Sequence, residues 1–220
     1  MAETALWSSL IYVMPYLTLA TALCLVLLDL ALYTARLGIG PTPSGKRARA
    51  SLIECCVREL ERLRGSEAQV GAELTVYELG SGWGGLSFAL GAHLEAHERL
   101  IAFELAFSPY CLSRVALSCM RLRSPAHARD AKLSFERRDL IEVVERLQQA
   151  ELQKQGGRTL LVCYLCPQQM RRLSEALTKA KLPRGVSLVS LLFTLPGFSA
   201  VEEHRASNLY QDPIWVYHLN

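Results

Sequence analysis

The chain reads as a doubly wound α/β domain with a mostly parallel sheet, preceded by one transmembrane helix. Three observations carry that reading. Short apolar runs alternate with amphipathic segments over residues 66–220, as at Leu74–Leu79, Leu100–Glu104, Thr159–Leu165 and Val186–Leu195. Such alternation is the pattern of βαβ units, and near-continuous hydrophobic strands suit a sheet covered on both faces. The first of these runs passes through alternating glycines into a helix. Finally, Thr4 to Leu28 contains no charged residue.

That apolar segment explains why 50% of the 220 residues are hydrophobic, a high share for a soluble domain. The length suits one domain plus an appendage. As a helix the uncharged stretch would extend about 37 Å, enough to cross a bilayer with some tilt. Residues 1–37 are therefore expected to be a membrane anchor, with its helix at about 5–33. Pro15 would kink it, which membrane helices tolerate. Trp7, Tyr12 and Tyr33 are amphipathic and suit the interfaces. Asp29 is expected at headgroup level, because an acid in hydrocarbon is costly. A cleaved signal peptide fits poorly: Met-Ala-Glu-Thr lacks a positive n-region, and the apolar run is too long.

The next segment, 38–65, reads as a linker and a basic juxtamembrane helix. Gly38 to Gly45 is rich in Gly, Pro and Ser, a boundary signal. Lys46–Arg64 carries Leu52, Ile53, Val57, Leu60 and Leu63 at helical spacing, with Cys56, which suits packing on the sheet edge. Arg36, Lys46, Arg47 and Arg49 follow the span and none precede it. The positive-inside rule then predicts a single-pass protein with its domain on the cytoplasmic or mitochondrial matrix side. The net charge of +3 is concentrated here, with seven Arg or Lys against three Glu between residues 36 and 65. That balance suits an anionic lipid surface. No basic stripe interleaved with aromatics is present, so nucleic acid is not an expected partner.

The remaining elements follow in order. After Leu74–Leu79, a helix is expected at Leu86–Leu94. The strand Leu100–Glu104 precedes a helix from Ser108-Pro109, a cap and a first-turn proline, to about Leu122. Arg123–Ala131 is a polar connection. Leu133–Arg137 is a weaker strand, followed by a helix to about Ala150. Gln153–Gly157 is a loop. Thr159–Leu165 is a strand stopped by Pro167, and Gln168–Ala180 is helical. Val186–Leu195 and Ile214–Leu219 are the last strands, related as a hairpin. The seven cysteines number an odd count without a disulfide framework, which suits a reducing compartment. Cys163-x-x-Cys166 is not expected to hold a metal, because positions three apart on a strand face opposite ways.

In such sheets, ligands bind at the carboxyl ends of the strands. Those ends carry Glu78, Glu104, Asp139 and Cys166-Pro167, which should share one rim. The turn Glu78-Leu79-Gly80-Ser81-Gly82-Trp83-Gly84-Gly85 is built for a ligand. Glycines let the backbone come close, and a helix start offers free N–H groups. Two chemistries fit. Gly80-x-Gly82-x-x-Gly85, with Glu104 roughly 20 residues on, matches a dinucleotide fingerprint. The acid Glu78 two residues before Gly80, with Gly80, Gly82 and Gly84 alternating, instead resembles motif I of the class I methyltransferases. Those enzymes are Rossmann-like and use S-adenosyl-L-methionine (SAM).

The resemblance goes further, to the membrane-anchored mitochondrial lysine methyltransferases of the ATP synthase c subunit and the adenine nucleotide translocase, and to their bacterial relatives. The matching residues are Pro41-Thr-Pro-Ser44, Tyr77 to Gly82, Phe103-Glu-Leu105, Arg138-Asp-Leu140, Cys166-Pro-Gln-Gln-Met170 with Leu173, and Ile214-Trp-Val-Tyr217. It implies a SAM-dependent protein-lysine methyltransferase acting on a membrane protein. Its cofactor residues would be Glu78, Gly80, Ser81, Gly82, Trp83 and Gly84, with Glu104 and Leu105 at the ribose and Asp139 and Leu140 at the adenine. The backbone at Leu165, Cys166 and Pro167 would orient the acceptor. No metal is implied, and no catalytic residue is assigned. Asp139 could alternatively cap the following helix, and Trp83 could cover the cofactor or the sheet end. The family usually has an acid in the glycine turn and a base after it, where this chain has Trp83 and Gly85. The other readings are a small-molecule or lipid methyltransferase, an NAD(P)-binding oxidoreductase, and a methyltransferase-like binding module without turnover.

Overall fold

The computed structural model describes residues 2–37, 44–65, 73–123, 132–152 and 157–219. The expected connections at 38–43, 124–131 and 153–156 lie outside these, as do the side chains of Trp7 and Arg36. The chain forms two compact units, Met1–Gly40 and Pro41–Asn220.

The first unit is one helix, α1 (Ala2–Leu37), continuous through Pro15 and longer at both ends than the sequence reading. Its stretch Tyr12–Ala35 is long and apolar enough to cross a membrane, and none of the segment is buried in the protein. Asp29 falls inside that stretch rather than at its end. The hydroxyls of Thr18, Thr21 and Thr34 donate back to the carbonyls of Pro15, Leu17 and Leu30. Such bonds satisfy polar groups within the helix itself, as a lipid environment demands.

The second unit is a seven-stranded sheet in the order β3-β2-β1-β4-β5-β7-β6. The strands are β1 (Leu74–Leu79), β2 (Arg99–Phe103), β3 (Lys132–Glu136), β4 (Arg158–Cys163), β5 (Val186–Leu191), β6 (Glu202–Arg205) and β7 (Pro213–His218). Strands β1 to β5 run parallel, and β7 is antiparallel to both β5 and β6. The helices are α2 (Lys46–Gly65), α3 (Gly85–Gly91), α4 (Phe107–Arg123), α5 (Ile141–Leu152) and α6 (Pro167–Lys179). Alternation along β1 sends Leu74 and Val76 to one face and Leu79 to the other, because strand side chains point to opposite faces in turn. The first face is covered by α2 and α3, the second by α5 and α6.

Several sequence expectations need correction. The α2 helix lies across β4 and β5, not on the sheet edge. Its apolar stripe, Leu52, Cys56, Leu60 and Leu63, is at most 1% exposed. The strand β4 ends at Cys163, so Cys166 lies beyond it as the N-cap of α6. Helix α4 begins at Phe107, so Ser108 sits inside it and does not cap it. The edge strand β6, Glu-Glu-His-Arg, was not anticipated. It has no buried residue and so carries no apolar alternation to reveal it. It inserts between β5 and β7 in sequence, which pair as the antiparallel neighbours expected.

Candidate cofactor site

The order β3-β2-β1-β4 sets the carboxyl ends of four parallel strands side by side. The sequence therefore meets in space as Asp139, Glu104, the glycine turn, and Leu165–Pro167. The strand order reverses between the parallel neighbours β1 and β4, the switch point where open α/β sheets bind ligands.

The glycine turn has left-handed backbone at Gly80, Gly82 and Gly84, with φ of 76°, 53° and 77°. Residues with a Cβ avoid this region, so the turn needs glycine. The glycines also differ in surroundings. A Cβ on Gly80 would lie 2.9 Å from Leu165 Cδ2, and one on Gly84 would lie 2.9 Å from Phe135 Cζ. A Cβ on Gly82 would meet nothing within 4 Å. The turn is thus packed from beneath at both ends and open in the middle. The amides of Gly80 and Ser81 both donate to the Phe103 carbonyl at 2.9 Å, which ties the turn to β2.

Glu104 is 2% exposed. Its carboxylate accepts from the Gly82 N–H and the Ala106 N–H, each at 2.7 Å. The first bond holds the acid against the open middle of the turn, and the second fixes the start of α4.

Glu78 behaves differently. It faces α2 and α3, is buried, and accepts from the Ser87 hydroxyl. Burial pushes its carboxyl up to about 8, against the lowering effect of the Ser87 bond, with the Glu104 charge raising it further. Near neutral pH it therefore holds its proton.

Asp139 caps α5. Its Oδ1 accepts from the Ile141 N–H at 3.0 Å, and Glu142 Oε1 accepts from the Asp139 N–H at 3.3 Å. This is a reciprocal capping box. Its Oδ2 accepts from Arg172 Nη2 at 3.1 Å, and Arg172 also donates to Gln169 Oε1 at 2.8 Å. Leu140 is buried beside it, whereas Leu105 and Trp83 are 38% and 37% exposed. On the β4 side, the Cys166 carbonyl accepts from the Met170 N–H at 3.0 Å and is committed to α6. Leu165 precedes that cap, and its carbonyl stays outside the helix ladder.

Three features escaped the sequence. Ser87, the partner of Glu78, is one of many serines. The bridge from Asp139 through Arg172 to Gln169 joins α5 to α6, a contact that no spacing reveals. Arg49 of α2 brings its guanidinium to Gly85: a Cβ there would lie 2.6 Å from Nη1. It had been read as part of a lipid-facing basic flank. Arg62 and Arg64 likewise turn inward, to Glu59 and Ser187 and to Glu98.

No family model and no curated protein match the chain in sequence. Solved structures do match in shape. The rRNA methyltransferase aviRa from Streptomyces viridochromogenes has a TM-score of 0.54 at 14% identity, over 84% of this chain and 92% of its own. A SAM-dependent methyltransferase from Neisseria gonorrhoeae scores 0.53 at 15% identity, over 79% and 68%. A methyltransferase from Geobacter sulfurreducens scores 0.50 at 11% identity, over 89% of both chains. With the antiparallel β7 set between β5 and β6, where a dinucleotide fold continues its parallel order, the chain has the Rossmann-like fold of the class I SAM-dependent methyltransferases.

Proposed function

We propose that this protein is a membrane-anchored SAM-dependent methyltransferase whose acceptor is a lysine amine of a membrane protein. The observation that carries the reading is the open glycine turn beneath Glu104, on the rim of a methyltransferase-fold sheet. The residues present fit the cofactor. Gly82 leaves the middle of the turn clear. The Ser81 hydroxyl is buried and has no hydrogen-bond partner among the described residues. The Glu104 carboxylate beside the turn is an acceptor whose chemistry suits two adjacent ribose hydroxyls. Leu105 supplies an exposed apolar surface next to it, and Asp139 and Leu140 stand on the adenine side. Glu78 supports the turn from below as a neutral acid, so it adds no charge to the pocket.

SAM supplies an electrophilic methyl group on a sulfonium. The chain's residues contribute placement, since in-line displacement depends on orientation and desolvation more than on acid or base. The Leu165 carbonyl is the acceptor-orienting group of the three at the β4 end, because it can take a hydrogen bond from an incoming amine. Trp83 offers an aromatic face at the turn, which would attract a cation.

The anchor supports the membrane assignment. Helix α1 has the length and composition to span a bilayer. The basic residues on its C-terminal side favour a cytoplasmic or matrix-facing domain. Lys46 and Arg47 remain exposed at the start of α2 and suit anionic headgroups. The lysine acceptor rests on the family resemblance of the β4 and β7 stretches.

The test is methyl transfer from tritium-labelled SAM by the full-length protein in lipid vesicles, supplied with membrane proteins, lipids or RNA. Label in a lysine of a membrane protein supports the reading. Label in RNA or lipid replaces the acceptor, and SAM binding without transfer identifies a binding module.

A further inference from the structure

Of the five arginines of α2, Arg47 is exposed and the other four divide into two kinds. Arg58, Arg62 and Arg64 each donate to an acceptor: Cys55 Sγ, Glu59 with Ser187, and Glu98 with the His93 carbonyl. Arg49, one turn into the helix, is half-buried, and its guanidinium makes no hydrogen bond or ion pair with any of the described residues. Guanidinium is charged at all accessible pH and presents five donors in a planar fork. A half-buried fork with no acceptor is an unfinished interaction.

Its position is specific. Nη1 and Cζ would lie 2.6 Å and 3.7 Å from a Cβ on Gly85, so the fork occupies the space that a side chain there would take. Gly85 is not in left-handed backbone, so conformation does not demand glycine at this position. What the glycine provides is room for Arg49. The Arg49 charge acts on the buried Glu78 carboxyl, lowering its pKa against the burial that raises it. The buried Ser81 hydroxyl is a second donor without a partner, in the same turn.

We propose that Arg49 is a cofactor-binding residue, whose guanidinium receives the α-carboxylate of the amino acid portion of SAM at the Gly85 end of the turn. The inference rests on the SAM reading of the pocket. It gives the site a charged end at α2, opposite in sign to the Glu104 end. A planar carboxylate matches the fork in bidentate geometry, and such pairs are among the stronger hydrogen bonds.

The full-length protein in detergent is titrated calorimetrically with two probes. S-adenosylhomocysteine carries the carboxylate, and 5′-methylthioadenosine keeps the adenosine thioether without the amino acid portion. Arg49→Met should weaken S-adenosylhomocysteine by about ten- to a hundredfold. It should leave 5′-methylthioadenosine within about twofold. Arg49→Lys, which keeps the charge but loses the fork, should fall between. Unchanged S-adenosylhomocysteine affinity in Arg49→Met would overturn the inference while leaving the cofactor reading intact. Equal loss of both ligands would overturn it too, by making Arg49 a support of the whole pocket. If wild type binds neither probe, the cofactor reading itself fails.

Discussion

The ends of β1 and β2 carry a glutamate each, on adjacent parallel strands, and the two ends do opposite things. At the β1 end, Glu78 points into the face covered by α2 and α3, where it is dry, neutral and bonded to Ser87. At the β2 end, Glu104 turns toward the glycine loop, where two backbone N–H groups hold it. Two acids close in space thus divide by surroundings, one buried against apolar side chains and one held by backbone donors at the loop, and the second is the proposed ligand group. The division follows from environment, since backbone donors favour the charged form and apolar burial the neutral one.

The sharpest way to break the comparison is pH. The carboxyl of Glu78 is held near 8 in the fold, well above the ordinary glutamate value of about 4.3. The folded state therefore binds the extra proton between those values. Stability is fully present at acid pH and falls as pH rises towards and through 8. Between pH 5.5 and 8.5 the loss should be roughly 3 kcal/mol. Glu78→Gln keeps the shape without the titration. Paired thermal melts of wild type and variant should show similar stability at pH 5.5 and a more stable variant at pH 8.5. Parallel curves would mean that the Glu78 carboxyl is not raised by the fold.

A smaller effect concerns the third acid on the rim. Asp139→Ala removes the α5 cap and the partner of Arg172, and should cost about 1–2 kcal/mol in a denaturation experiment. Asp139→Asn retains the capping acceptor and should recover most of it. Equal damage from both variants would show that the Arg172 ion pair outweighs the cap. The smallest effect is expected at the exposed tip of the turn. Trp83→Ala should change stability by less than about 0.5 kcal/mol. If its ring faces the sulfonium, SAM should weaken by about two- to fivefold, with S-adenosylhomocysteine, whose sulfur is a neutral thioether, unaffected.

The readable part of the molecule was the part whose signals are local. The turn announces itself because left-handed backbone demands glycine at Gly80, Gly82 and Gly84. Glu104 follows from its place after an apolar strand. Parallel order then brings distant strand ends together without further information. Asp139 was legible as both a cap and a rim acid, since capping chemistry and strand-end position are both sequence-local.

What could not be read depends on tertiary packing. Glu78 carries the same side chain as Glu104, and only its burial distinguishes the two. The strand β6 is held by pairing with β7 and by the bond of Ser207 to Ser51, with no apolar residue to mark it. The basic run of α2 looked like a membrane flank because composition does not show which way a side chain turns. Three of its arginines bond inward, and a fourth stands over Gly85. The sequence flagged Gly85 only as a departure, a base missing from the turn. In space, the guanidinium of Arg49 reaches Gly85 from α2.

The central claim is that the β2 end, not the β1 end, presents the ligand-binding carboxylate of a SAM site. It is tested most directly by calorimetric titration of the full-length protein with S-adenosylhomocysteine and with NAD, beside Glu104→Ala and Glu78→Gln. Binding of S-adenosylhomocysteine but not of NAD is expected. A loss of about a hundredfold is expected in Glu104→Ala, as two charge-assisted bonds disappear, and near-normal binding in Glu78→Gln at neutral pH. Binding of NAD alone, or full affinity in Glu104→Ala, would contradict the claim.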